Sequence, residues 1–215
     1  MERALRQGQD AVSRLGWIRK QQARLRGQTR ETARRFVTRE SHNLWGKRYV
    51  LTVVEREQTP SVTMDHRRIT LTVRPGSDRA KREAVMHAWH KSLLHEEVPR
   101  LIHKWELRLE VTVAAYYLQR MKTKWGGCNH GAKHIRLNTE LVKKPRDLLE
   151  YVVVREMLHL IVPTHSERFL ALITRHYPAW REARAELNEL PLGAVAWKDE
   201  SAVRNRGEIR AGTQL

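Results

Sequence analysis

The hydrophobic period of the chain changes near residue 77. Before it, "RRFVTRESHNLWGKRYVLTVVERE" and "SVTMDHRRITLTVRPG" are rich in Val, Thr, Tyr and Ile, alternate apolar with polar residues in places, and are punctuated by Gly46, Pro60 and Pro75. Such runs, bounded by glycine and proline, predict paired antiparallel strands. After it, Val85, Met86, Trp89, Leu93 and Leu94 recur at helical spacing behind Ser77 and Asp78, which are suited to cap a helix. That helix is expected to reach Pro99, where a second helical piece, "RLIHKWELRL", begins. "EVTVAAYYLQRM" and "HIRLN" then read as strands on either side of a glycine-bearing loop, "KTKWGGCNHGAK".

Beyond Asn138 the pattern predicts a short helix and then a long one from about Pro145 to Ile161. Proline suits a helix start because it has no N–H to leave unpaired. Leu148, Leu149, Val152, Val153, Met157 and Leu160 give this helix a broad apolar face, so it belongs in the core. Pro163 stops it. Thr164 and Glu167 in "THSERF" have the spacing of a capping box, which predicts a new helix with His165 in its first turn. "AWREARAELNEL" reads as a final helix, followed by a polar tail from Pro191. At the other end, "VSRLGWIRKQQARLR" reads as a basic helix docked by Leu15, Trp17, Ile18 and Leu25. The expected division is a basic segment over 1–35, one main domain over 36–190 and a tail over 191–215. No internal repeat stands out.

Composition narrows the class. A chain of 215 residues with 40% apolar residues and seven tryptophans can bury a substantial core. No stretch approaches the roughly 20 apolar residues of a membrane span, and the N-terminus lacks a signal-peptide core. Cys128 is the lone cysteine, which removes any disulfide framework or Cys-based zinc ribbon. These features predict a cytoplasmic protein with no membrane partner. The formal net charge of +17 points toward nucleic acid or acidic partners, or simply a soluble basic surface. The charge is uneven: residues 1–39 hold ten Arg and one Lys against three acidic residues, and residues 120–146 hold eight Lys or Arg against Glu140 alone.

One constellation carries chemistry. Glu156 and His159 are three residues apart on one helix face, and the turn at Pro163 and Thr164 brings His165 back toward them. Two imidazoles and a third ligand, with an open position for water, is the pattern of a catalytic zinc site, and a nearby glutamate then serves as general base. Spacing alone does not separate this from an ordinary glutamate beside a core histidine. Arg155, four residues before His159, occupies the place where a zinc-protease helix carries its first histidine. His130, His134 and Cys128 are the other donors in range; as a surface pair and a packed thiol they have equally ordinary roles.

Several further segments carry a resemblance: "WIRKQQAR" at 17–24, "ESHNLWGKRY" at 40–49, "VRPG" at 73–76, "RMKTKWGGCN" at 120–129, "IRLN" at 135–138, "EYVVVREMLHL" at 150–160 and "THSERF" at 164–169. Together, and in this order, they resemble the YgjP-like metallopeptidases, relatives of the SprT-like zincins. The resemblance implies an α+β, zincin-like metallopeptidase domain with a small antiparallel sheet and a helical metal-site region. It implies a zinc-dependent peptidase acting on peptide or protein substrates, with His159 and His165 as zinc ligands and Glu156 as general base. It also places Arg155 at the missing third ligand position. Arginine offers no lone pair, so it cannot substitute as a ligand. Two outcomes follow for the site: zinc held weakly with Arg155 swung outward, or Arg155 supplying the charge itself by pairing with Glu156 or another carboxylate. In the second, the protein is a catalytically impaired pseudo-peptidase acting as a basic nucleic-acid- or protein-binding module. Arg120, Lys122 and Lys124 alternate beside Trp125 and are candidates for a substrate or nucleic-acid groove.

Overall fold

A computed structural model describes residues 32–190, so the basic segment expected over 1–35 lies almost wholly, and the tail from Pro191 wholly, outside the described residues. The described part is a mixed α+β domain with two small sheets and four α-helices. Strands β1 (Ser41–Leu44), β2 (Lys47–Glu55), β3 (Ser61–Asp65) and β4 (Arg68–Val73) form one sheet in the order β1-β2-β4-β3. Both hairpins are antiparallel as expected, but β2 and β4 pair in parallel, with Leu51 opposite Ile69 and Val53 opposite Leu71. The expectation of a purely antiparallel sheet is therefore corrected. Both β2 and β4 place apolar residues on the core side, with Leu51, Ile69 and Leu71 fully buried, and the chain reaches that pairing by sending β3 to the outer edge.

Helix α1 (Arg79–Leu109) is a single rod of 31 residues. The Asp78 side chain caps it by accepting from Lys81 N at 2.8 Å, and Glu110, in the left-handed conformation, ends it. The break expected at Pro99 does not occur. A proline inside a helix costs about 3 kcal/mol through a lost hydrogen bond and a ring clash. Here Leu94, Val98, Leu101, Ile102 and Trp105 continue one buried stripe through it, and each fully buried large side chain offsets about 1.5–3 kcal/mol.

The second sheet follows, with β5 (Ala115–Gln119), β6 (Gly126–Asn129) and β7 (His134–Asn138) in the order β5-β7-β6. Strand β6 lies inside the stretch expected to be loop. It pairs antiparallel with β7, Cys128 opposite Ile135, and glycines at its start hid it from a propensity argument. A 3-10 turn over Thr139–Lys143 leads to α2 (Arg146–Leu158), entered at Pro145 as expected. Leu148, Leu149, Val152, Val153, Val154, Met157 and Leu158 are all within 2% of full burial, so α2 is enclosed on nearly every side rather than on one face. It ends three residues early. Pro163 disfavours helical geometry at Val162, and residues 159–161 close as turns.

Two short helices complete the domain: α3 (Glu167–His176) and α4 (Trp180–Glu189). Both pack on α2, burying Phe169, Ile173, Trp180, Ala183 and Leu187. The tip of the β1–β2 hairpin docks on the approach to α2, where Trp45 N and Gly46 N donate to the carbonyls of Val142 and Lys143. Gly46 has φ of +75°, and a Cβ there would stand 2.8 Å from the Pro145 ring, so the turn needs glycine twice over. Among the described residues no helix is long and apolar enough to cross a membrane.

Candidate active site

Helix α2 delivers Arg155 and Glu156 at its last turn and His159 just past its end; the connection to α3 delivers His165. The helix expected to begin at Thr164 begins at Glu167, with Ser166 at its N-cap and no side-chain capping bond. His165 therefore sits ahead of the first turn. Its ring lies edge-on to that of His159, with centroids 4.7 Å apart, and Phe169 stacks on His159 at 4.6 Å. Glu156, His159 and His165 thus come together at one end of α2, lining a cleft of about 580 Å³.

Arg155 is in the middle of that cluster. Its Nη1 donates to Glu156 Oε1 at 2.5 Å, and its Nη2 donates to His165 Nε2 at 2.8 Å. A guanidinium has only donors, so His165 must accept, and the Nε2 lone pair that would bind a metal is already used. His159 is set the other way. Its Nδ1 lies 3.1 Å from the Val162 carbonyl, which can only accept; Nδ1 therefore carries the proton and Nε2 keeps its lone pair. Arg155 is turned inward and paired with Glu156.

The environment shifts each group. Burial pushes the Glu156 carboxyl up, against the opposing pull of Arg155 and Lys124. Burial lowers His159, with the Arg155 charge adding to it, and burial, Arg155 and Arg184 together lower His165. Both shifts favour the neutral imidazole. Cys128, on β6, is pushed up to about 11 by burial and by the Glu156 charge, so it is a packed thiol rather than a ready thiolate ligand. His130 lines the cleft and bonds the Leu160 carbonyl through Nδ1 at 3.1 Å; His134 instead packs edge-on against Tyr117.

A catalytic zinc needs three side-chain donors converging on one point. Among the described residues no group of three His, Cys, Asp or Glu side chains is so arranged, and a protonated guanidinium stands between two of the three candidates. The donor set does not fit zinc in this arrangement.

The residues proposed for a groove are separated. Past Gln119 the chain bends rather than continuing as a strand, so Arg120, Lys122 and Lys124 do not share one strand face. Arg120 turns toward α1 and the 3-10 turn, 2.9 Å from Glu83 and 3.8 Å from Glu140, while Lys122 is exposed. Lys124 and Trp125 line the cleft, and Trp125 also packs against the core beneath the Lys144 ammonium.

Four contributors escaped the sequence argument. Gly126 lies so close to α2 that a Cβ would meet Glu156 Cγ at 2.8 Å and Val152 Cγ1 at 2.9 Å; the Gly-Gly pair was its only signal. Asn138 donates to the carbonyls of Met121 and Lys124, at 2.9 and 2.8 Å, and so pins the loop that forms one wall. Tyr151 and Arg184 line the opposite side, where α4 crosses α2. Nothing in a single sequence pairs residue 184 with residue 155.

An α+β domain in which a buried Glu-x-x-His helix faces a histidine on the following helix connection has the layout of a metallopeptidase. The chain belongs to the YgjP-like metallopeptidase family: the family described as YgjP-like, metallopeptidase domain, matches residues 4–190. Among solved structures it is similar to the crystal structure of the metallopeptidase zymogen of Methanocaldococcus jannaschii jannalysin. That similarity is at 18% identity and a TM-score of 0.37, covering 42% of this chain and 92% of that one. No curated protein matches.

Proposed function

We propose that this chain is a pseudo-peptidase, a metallopeptidase-family domain that keeps its substrate cleft and has replaced the zinc charge with that of Arg155. The observation that carries this reading is the double contact of the guanidinium, on Glu156 Oε1 and on His165 Nε2. A guanidinium supplies positive charge but no vacant orbital. It cannot accept a water lone pair and so cannot generate hydroxide near neutral pH, which is what the metal does in this class of site. Glu156 would have to take a proton from such a water, yet its carboxylate is already committed to Arg155. What remains is a shaped, cation-bearing cleft suited to holding a peptide or protein segment without cleaving it.

The test is metal content and peptide hydrolysis on the purified chain and on Arg155→His. The wild-type chain is expected to hold far less than one zinc per chain and to hydrolyse nothing, and Arg155→His to gain about one zinc per chain. Stoichiometric zinc in the wild-type chain, with hydrolysis that Glu156→Gln abolishes, would instead establish a zinc-dependent peptidase with Arg155 swung aside.

A further inference from the structure

The cleft holds more positive charge than its own carboxylate neutralises. Lys124 reaches it from the loop before β6, Arg155 from α2 and Arg184 from α4, and Glu156 is the lone acidic side chain lining it among the described residues. Glu156 is matched by Arg155 at 2.5 Å. Neither Lys124 nor Arg184 forms a salt bridge among the described residues, and both are exposed. Their fields nevertheless meet at the site, since Lys124 acts on Glu156, and Arg184 acts on His165 and Tyr151.

Arg155 itself has capacity left. Of the five N–H donors of a guanidinium, one goes to Glu156 and one to His165, and the side chain is 31% exposed toward the cleft. A planar fork with free donors matches a carboxylate, and charge-assisted bonds of this kind are roughly twice as strong as neutral ones. Tyr151, Val152, Pro163 and Leu187 supply apolar wall beside it. A volume of about 580 Å³ suits a few residues of peptide.

We propose that this cleft binds a peptide carboxylate, received by the free donors of Arg155 within the field of Lys124 and Arg184. The proposal rests on Arg155 holding the place of the missing ligand, as proposed above. A nucleic-acid strand is the poorer match. It needs a track of cations along a surface, whereas the bend after Gln119 keeps Arg120, Lys122 and Lys124 off one common face, and Arg120 at its far end is tied to Glu83 and Glu140.

Titration calorimetry on the full chain, after chelation and a check of its zinc content, tests this with peptides of one length. They carry acidic side chains or neutral ones, each with a free or an amidated C-terminus. The neutral amidated peptide is expected to bind about 10-fold or more weakly than the best carboxylate peptide. Retained affinity in the acidic amidated peptide assigns the site to Asp or Glu side chains; retained affinity in the neutral free-acid peptide assigns it to the chain terminus. Arg184→Gln and Lys124→Gln, on exposed positions, should each weaken the carboxylate peptide by roughly 3–10-fold and leave the neutral one unchanged. Equal binding of all peptides, or none, overturns the proposal. So does stronger binding of duplex DNA at matched ionic strength that the same two variants weaken. Failure with metal-free, inactive protein leaves the pseudo-peptidase reading standing, whereas zinc retention with hydrolysis removes that reading by a separate measurement.

Discussion

Glu156 is held from two sides. Arg155 neutralises its carboxylate, and Gly126 on β6 lets the strand lie against its stem. A methyl group at 126 would meet Glu156 Cγ at 2.8 Å and Val152 Cγ1 at 2.9 Å, both on buried side chains of α2. Gly126→Ala is expected to destabilise the fold by about 1–3 kcal/mol, read as a lower urea midpoint. Gly127→Ala is the matched control, because a Cβ there meets nothing within 4 Å, and it should stay within about 0.5 kcal/mol of wild type. Two adjacent glycines with opposite tolerances would confirm the packing of β6 on α2. The triad of Glu156, His159 and His165 was legible from spacing together with the motif that follows it. Gly126 was not, since its importance comes from a contact across 30 residues of chain.

Among the elements, α1 carries the clearest pH signature. It buries His90, whose ring sits within the fields of Lys143, His42, His87 and Arg120; burial above all, and then these neighbours, lower it to about 3. Unfolded, the same imidazole titrates near 6.5. Below that value the unfolded chain binds a proton that the folded chain refuses, so the unfolded state gains and stability falls as the pH drops. His42 and His87 are lowered in the same direction by burial. Denaturant midpoints should therefore be flat just above neutrality and decline between pH 6.5 and about 3, with a slope of up to about 1.4 kcal/mol per pH unit for His90 alone. His90→Gln should flatten part of that decline, whereas a profile unchanged by the substitution would remove His90 as its source. The cap at Asp78 and the helical period of α1 could be read from the residues. Its continuity through Pro99 could not, because local chemistry argues for a break and only the buried stripe on both sides overrides it. The parallel β2–β4 pairing was hidden for a related reason: alternation says which face is buried, not which strand lies alongside.

At the scale of the molecule, α2 joins everything. It packs on α1, on β6 and β7, and on α3 and α4, and its approach is gripped by the β1–β2 hairpin. Truncating a fully buried side chain at its start, Leu149→Ala, is expected to cost about 2–5 kcal/mol in the urea-unfolding free energy of the whole domain, with one cooperative transition throughout. Two separable transitions would mean that the sheets fold independently of this helix. The interior position of α2 also changes what Arg155 means for the protein. Glu156 is only 2% exposed, and a carboxylate so placed needs a cation wherever it comes from. With arginine the cation is covalently part of the chain and present at a fixed ratio of one, so on the pseudo-peptidase reading proposed above the charge beside Glu156 needs no metal from solution. A histidine at 155 would make that same cation a ligand from solution, and the melting temperature would then rise with free zinc by mass action. On that reading, the arginine would make the fold independent of the metal supply of its surroundings.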